Sequence, residues 1–109
     1  MAFLEIGNEG ATNGTTAVDV VPAPAASTRR LVRNIGVSNR DSVSRTPALY
    51  KDKGGTLYEL GRKALSAGEF WVYDKLVVLD ATNEKVVIKS DATATTTEPS
   101  FDAAYADAS

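Results

Sequence analysis

The sequence contains no cysteine and no histidine in its 109 residues. Without cysteine there is no disulfide to stabilise a small fold and no thiolate to serve as a nucleophile or zinc ligand. Without histidine the chain lacks the commonest general base near neutral pH and the commonest metal ligand. Catalytic triads of the Ser-His-Asp and Cys-His types are therefore excluded. A hydrolase with two carboxylates is the remaining enzymatic alternative, but it would need a cleft, so we expect a protein that is not an enzyme.

Long apolar runs are also missing. The longest aliphatic runs, at 76–79 and 86–88, fall far short of the roughly 20 residues of a membrane-spanning helix. Residues 1–5 lack the basic start and apolar stretch of a secretory signal. We therefore expect synthesis in a host cytoplasm and no membrane partner.

The composition is that of a folded domain, with 43% hydrophobic and 24% charged residues. The net charge of −2 is distributed unevenly along the chain. Residues 28–53 contain seven basic and two acidic side chains, whereas residues 91–109 contain four acidic and no basic ones. This pattern predicts a basic surface from the first half of the chain and an acidic C-terminal segment.

Apolar and polar residues alternate with a period of two from residue 15 onward, which is typical of β-strands. Candidate strands, separated by turn residues, cover 15–21, 28–39, 44–51, 56–60, 69–73, 76–79, 84–90 and 101–108. The fold predicted is all-β: an antiparallel β-sandwich, or a flattened barrel, of seven to eight short strands with an extended N-terminal arm. The arm is expected over residues 1–14 and the β-sandwich domain over 15–109.

Two local patterns refine this prediction. The apolar positions change parity between Val32 and Ile35, which predicts a β-bulge near Arg33. The pair Gly54-Gly55 predicts a hairpin turn, because glycine reaches positive φ without steric cost.

The N-terminal segment has a short apolar group, Phe3, Leu4 and Ile6, followed by turn formers. Such a segment is suited to a docking arm that binds a partner. The alternative is a frayed terminus, or an edge strand that packs on its own domain.

Arg29, Arg30 and Arg33 lie on one candidate strand and predict a cationic face. Such a face would bind an acidic partner, for example the acidic C-terminal segment of a neighbouring copy. The alternative is a set of solvated charges that discourages association between sheet edges. Nucleic acid is not an expected partner, because the net charge is negative and the basic segment offers no interleaved aromatics for base stacking.

Trp71 and Tyr73 alternate with Phe70 and Val72, which we expect to face the core. The two large rings would then lie on the outer face as an interface anchor, or as a stacking surface for sugar rings in a carbohydrate-binding module. The alternative is burial under the connection at 61–67. The acidic loop at 80–84 lacks the spacing of a calcium loop and is interpreted as a turn, so no metal or cofactor is expected.

A resemblance covers about residues 15–109. The run Thr28-Arg-Arg-Leu-Val-Arg-Asn-Ile-Gly-Val-Ser-Asn39 is followed by a strand, Gly54-Gly55, another strand, Ala67-Gly68-Glu69, an aromatic strand and Leu76-Val-Val-Leu79. This succession resembles small β-sandwich virion proteins of tailed bacteriophages.

The resemblance implies a non-enzymatic structural protein of the virion. Its leading form is a capsid decoration (cement) protein that binds and stabilises the outer capsid shell, with copies of itself and the major capsid protein as partners. A trimer is the candidate oligomer. A head-tail neck or tail component is the first alternative, and a carbohydrate-binding module is the second.

Overall fold

The computed structural model describes residues 4–108, and the segments with the predicted alternation form nine β-strands there. These are β1 Leu4–Ala11, β2 Val18–Val21, β3 Arg29–Ser38, β4 Ala48–Lys53, β5 Thr56–Arg62, β6 Phe70–Tyr73, β7 Val77–Leu79, β8 Glu84–Lys89 and β9 Ser100–Ala108. The described part of the chain has no helix with the length and apolar character needed to cross a membrane.

The strands form two antiparallel sheets. The first sheet has the order β1-β9-β3-β6, and β7 also pairs with β3 beside β6. The second sheet has the order β2-β8-β4-β5. The prediction of an all-β antiparallel sandwich is confirmed, with nine strands rather than seven to eight.

The core lies between the two sheets and consists of aliphatic and aromatic side chains, which alternate with exposed residues along strands such as β9. In β9, Phe101, Ala103 and Tyr105 are buried, whereas Asp102 and Ala104 between them are exposed. The largest fully buried apolar side chains elsewhere are Ile35, Leu49, Leu65, Leu79 and Ile88. Burial of one face of β3 and of β9 fixes the register between them, because a shift by one residue would expose that face.

The two local predictions are confirmed. The pairing of β3 with β9 shifts register between Val32 and Asn34, so Arg33 is the extra residue of a bulge. The turn between β4 and β5 contains Gly54 at φ 64° and Gly55 at φ 96°. This left-handed geometry matches the twist of the flanking strands.

The predicted N-terminal arm supplies the ninth strand. Each residue of β1 pairs with one of β9, from Leu4 opposite Asp107 to Ala11 opposite Ser100. Ile6 is partly buried against the core, and the Asn8 side-chain amide donates a hydrogen bond of 2.7 Å to the Val20 carbonyl. Phe3 lies outside the described residues. Docking of this segment on a partner stays a prediction.

The face assignment for residues 70–73 was wrong. Trp71 and Tyr73 pack against the core, whereas Phe70 is 58% exposed and Val72 is 52% exposed. The register with β3 explains the reversal, because Tyr73 and Trp71 stand opposite the buried Ile35 and Val37. All four residues of this strand are large and apolar, so alternation alone did not identify the buried pair.

Candidate interaction surface

The Arg30 side chain donates hydrogen bonds to residues of its own chain. Its Nε and Nη2 atoms donate hydrogen bonds of 2.7 and 3.0 Å to the two carboxylate oxygens of Asp107. Its Nη1 atom donates to the Pro22 carbonyl at 2.8 Å, and its guanidinium carbon lies 4.6 Å from the centre of the Tyr105 ring. The hydrogen bond from Arg30 lowers the pKa of Asp107. The contact between the basic strand and the acidic C-terminal segment, which was expected between copies, is thus made inside one copy at this residue.

The rest of the basic segment is divided between internal pairs and exposed cations. Arg45 donates from Nε to the buried Asp41 carboxylate at 2.8 Å, and Lys51 lies 3.2 Å from the buried Glu84 carboxylate. Arg29 and Arg33, in contrast, are exposed on β3. These two are therefore the members of the predicted cationic group that face solvent.

The outer face of the first sheet carries three large exposed apolar side chains. Phe70 and Val72 project from β6, and Leu76, which directly precedes β7, is 61% exposed. We call these three residues the ridge. They lie at the β6–β7 side of the sheet, opposite the side where β1 forms the edge. Contiguous exposed apolar patches of more than a few hundred Å² are typical of interaction sites.

Beside the ridge the same face is formed by residues with little or no side chain. Gly7 of β1 and Ala104 of β9 are paired and exposed, and Gly36 of β3 stands opposite the exposed Asp102. We call Gly7, Gly36 and Ala104 the floor. A Cβ atom on Gly36 would lie 2.8 Å from Cζ of Phe70, which shows that the phenyl ring lies over this glycine.

A shallow groove of about 360 Å³ runs between Phe70 and β1. Five of its lining residues have polar side chains, and the others are glycine or phenylalanine: Glu9, Ser38, Arg40, Ser100 and Asp102, with Gly10, Gly36, Phe70 and Phe101. Glu9 and Asp102 are direct neighbours across β1 and β9, so two carboxylates stand side by side at its rim. Within residues 4–108 no three or more acidic side chains come together as metal ligands would.

The sequence analysis missed two carboxylates, the buried Asp41 and the partly buried Glu98, that organise the loop at 91–98. The Asp41 carboxylate accepts hydrogen bonds from the backbone amides of Thr95 and Thr96 at 2.9 and 2.8 Å. Burial raises the pKa of Asp41, but these amides, the Ser42 amide and Arg45 outweigh it and lower the pKa below its usual value. Glu98 accepts from the Ala94 amide at 2.9 Å, which lowers its own pKa.

Asn39 is the central residue at the same end of the sandwich. It is fully buried, and its side-chain amide donates to the carbonyls of Val43 and Leu65, each at 3.0 Å. Among the described residues, every buried polar side-chain atom has a hydrogen-bond partner. The spacing of Asp41 and Arg45, four residues apart, was the one sequence signal for this network. The hydrogen-bond network around Asn39 and Asp41 has a structural role, and its buried polar side-chain atoms bond to other atoms of the described chain.

Comparison with protein-family models and with curated proteins gave no match. Among solved structures, the chain is similar to the pilus protein of Bacillus endospore appendages, with a TM-score of 0.59, 9% identity and coverage of 97% of this chain and 85% of that one. It is also similar to a Clostridium thermocellum xylanase chain with CBM22 and GH10 modules, solved with xylohexaose, at a TM-score of 0.53 and 11% identity. That match covers 98% of this chain and 26% of the xylanase chain.

A third similarity is to the capsid asymmetric unit of cyanophage Pam1, at a TM-score of 0.42 and 15% identity, covering 96% of this chain and 80% of that one. At this TM-score the similarity supports no argument. The first two similarities, at such low identity, establish the β-sandwich fold alone.

Proposed function

We propose that the protein is a non-enzymatic structural component of a virion, and that it acts as a capsid decoration protein that binds and stabilises the outer shell. The observation that carries the proposal is the ridge. Phe70 and Val72 on β6 and Leu76, which directly precedes β7, are each more than half exposed. A single copy in water gains nothing from exposing them, whereas a shell partner would remove them from solvent.

The arrangement fits a protein present in many copies on a lattice. Each copy contributes one modest apolar patch. Copies that are linked on a repeating surface bind it more tightly than a single copy does, because each further contact forms at a high effective concentration. The proposed partners are copies of the chain and the major capsid protein. Arg29 and Arg33 are the proposed cations toward the shell, and Phe3 and Leu4 remain the predicted docking residues of the N-terminal segment. Support also comes from the resemblance to phage virion β-sandwich proteins and from the fold shared with an assembling pilus protein.

The proposal is tested by binding to particles that lack the protein. Purified wild-type chain is mixed with these particles, and occupancy is measured by quantitative mass spectrometry of the washed particles. Replacement of the ridge residue Phe70 by Ser should lower occupancy. Tyr58→Ser is the matched control, because Tyr58 is 56% exposed on the second sheet and should leave occupancy unchanged.

Absence of the wild-type chain from washed particles would contradict the proposal. The number of copies bound per particle separates decoration from the first alternative. A copy number that matches the repeating sites of the capsid lattice supports decoration, whereas a copy number that matches a single ring of subunits at the neck or tail indicates a neck or tail component.

A carbohydrate-binding module is the second candidate, and the groove is the observation that favours it. The sequence placed the stacking rings at Trp71 and Tyr73, but both pack against the core. Phe70 instead borders a groove with two carboxylates and Arg40, groups that hydrogen-bond sugar hydroxyls. A glycan array probed with the purified chain tests this candidate, and the absence of hits removes it.

A further inference from the structure

We propose that β1 is an exchangeable strand. In a pair of copies, β1 of each copy leaves its own β9 and takes the same place against β9 of the other, and the connection at 12–17 between β1 and β2 is the hinge. The eight residue pairs between β1 and β9 show that this segment fits this place, which is why a second copy is the occupant. The inference rests on the self-association contained in the proposed function, and it names the segment that joins the copies.

β1 is attached to the sandwich by its backbone more than by its side chains. Every residue from Leu4 to Ala11 pairs with a residue of β9. Of residues 6–11, however, Ile6 and Asn8 are half-buried and the other four are exposed. A segment with few buried apolar contacts opens at a lower free energy than the whole fold does. The departure of β1 therefore removes no fully buried side chain of residues 6–11 from the core.

The place that β1 leaves is a template for another strand. The Thr12 amide donates to the Pro99 carbonyl at 2.9 Å, so by the alternation of an antiparallel pair the Ala103 N–H and C=O groups also point towards β1. Gly10 lies against the Phe101 ring, because a Cβ atom added there would lie 2.7 Å from Cζ of that ring. Unpaired backbone groups and part of this ring would be left open. β1 of another copy would make the same eight pairs, so the exchange conserves the contacts of β1 with β9.

The hinge contains a tight turn that requires glycine. Asn13 and Thr16 form a bridge, in which the Thr16 amide donates to the Asn13 carbonyl at 3.0 Å. Gly14 within this turn has φ 56°, and a Cβ atom there would lie 3.0 Å from Oγ1 of Thr93. A residue with a branched side chain is therefore unfavourable in the closed turn, whereas an extended hinge would accept it.

Glu98 holds this turn closed. Its Oε1 atom accepts hydrogen bonds from the Thr12 hydroxyl and the Gly14 amide at 2.7 and 3.1 Å, and its Oε2 atom accepts from the Ala94 amide at 2.9 Å. The Gly14 carbonyl accepts from the Ser90 amide at 2.9 Å. These bonds belong to the hinge and not to β1, so they favour the closed single copy over the exchanged pair.

Concentration and the hinge thus decide between the two forms, because the contacts of β1 are the same in both. In a single copy the hinge keeps β1 beside its own β9 at a high effective concentration, so the closed monomer dominates in dilute solution. Copies held side by side on a lattice would raise the concentration of the neighbouring β1. Strain in the closed turn acts in the same direction, since strained hinges favour exchange.

The first test places strain in the hinge with Gly14→Val. Mass is measured against concentration by light scattering after size exclusion and by sedimentation. The variant should form dimers with an association constant at least about tenfold above that of the wild-type chain. Gly55→Val is the matched control, because it strains a turn with φ 96° that is not connected to β1, and it should leave the association constant unchanged. Circular dichroism verifies that each variant is folded.

The second test identifies the exchanged strand by a disulfide, in a chain that has no cysteine of its own. Gly7 and Ala104 are exposed partners across β1 and β9, and a Cβ atom on Gly7 would make an ordinary contact with its surroundings. They form a non-hydrogen-bonded pair, whose Cα separation of about 4.5 Å suits a disulfide. Gly7→Cys and Ala104→Cys are made in separate chains, which are mixed at high concentration under reducing conditions, incubated and then oxidised.

This mixture should give a covalent heterodimer, whereas Gly7→Cys mixed with Thr56→Cys, at an exposed position of the second sheet, should give none. The test uses the wild-type hinge, so it does not depend on the folding of Gly14→Val. Absence of the heterodimer, equal cross-linking in the control mixture, or a Gly14→Val chain that is folded and monomeric at all concentrations would overturn the inference. Particle occupancy is scored separately. A chain that occupies particles without forming the heterodimer would overturn the exchange and leave the proposed function standing.

Discussion

Arg30 and Asp107 are directly opposite each other in β3 and β9 and form a bidentate ion pair near one end of both strands. Arg30 also bonds to the Pro22 carbonyl, so one guanidinium connects the first sheet to the chain that leaves β2. The pair is partly shielded, with 12% of the Arg30 side chain and 23% of the Asp107 side chain exposed. Shielding and bidentate geometry make such a pair stronger than an ordinary surface ion pair.

Replacement of Arg30 by Ala should therefore lower the free energy of unfolding by about 1–2 kcal/mol, because charge-assisted hydrogen bonds and ring packing are lost together. Urea denaturation measures the change. Arg33→Ala is the control on the same strand, since Arg33 is exposed in the bulge, and its effect should stay within about 0.5 kcal/mol. Equal losses for the two variants would contradict a structural role of the Arg30 pair.

Acid should destabilise the fold through its hydrogen-bonded carboxylates. The folded structure lowers the pKa values of Asp41, Glu84, Glu98 and Asp107. A lowered folded pKa gives stability that is fully present above the unfolded pKa, near about 4, and is lost as the pH falls towards the folded value. Urea unfolding should thus give a constant free energy from pH 7 to about 5 and a steep decline below about 4.

The contribution of a single carboxylate can be isolated with Asp107→Asn. This variant should be less stable at pH 7 and should lose less stability between neutral and acid pH, because one proton fewer is taken up on unfolding. A wild-type protein that gains stability below about pH 4 would contradict this account.

The reversed orientation of β6 gives a direct mutational contrast. Trp71→Ala should cost about 2 kcal/mol, because its ring packs against the core beneath Gly61. Phe70→Ala should cost less than about 1 kcal/mol in the monomer, because its ring is mostly in solvent. Thermal unfolding at low protein concentration compares the two variants. A larger loss of stability for Phe70→Ala than for Trp71→Ala would contradict the observed orientation of β6 and support the one expected from the sequence.

Substitutions at two turn positions with positive φ should change the stability in opposite directions: Gly55→Ala should lower it, and Ser27→Gly should raise it. Gly55 has φ 96°, and a Cβ atom added there would meet no neighbouring atom, so Gly55→Ala should destabilise by about 1 kcal/mol through backbone strain alone. Ser27 has φ 62°, the one non-glycine residue of the described chain in this region, and Ser27→Gly should gain up to about 1 kcal/mol. Chemical denaturation checks both, and a destabilised Ser27→Gly would show that its side chain stabilises the turn.

The strand pattern was predictable from sequence where a strand, such as β9, has one buried apolar face and one exposed face of polar or small residues. The bulge at Arg33 followed from the same logic, since a parity change within a continuous strand needs one extra residue. For β1 the sequence left an edge strand only as the alternative to a docking arm, because Gly7, Asn8 and Gly10 are turn formers by composition. Pairing with all of β9 overrides that preference.

The interaction surface was less accessible to sequence reasoning. The orientation of β6 depends on its register with β3, a contact between residues more than 30 positions apart in the chain. The internal pairing of Arg30 depends on Asp107, which is 77 residues away. Likewise, the floor consists of single small residues from three strands, and it becomes a surface only when β1, β9 and β3 lie side by side.

The pairing of Leu4 with Asp107 brings the first and last described strands together at one corner of the molecule. A short linker from Ala108 to Leu4 would therefore close the described part of the chain without disturbing either sheet, and the glycine turn between β4 and β5 offers a place to open it again. A tag or cargo domain attached at Leu4 or at Ala108 would lie at that same corner, so the choice between these two positions would not alter the side of the molecule on which it is displayed.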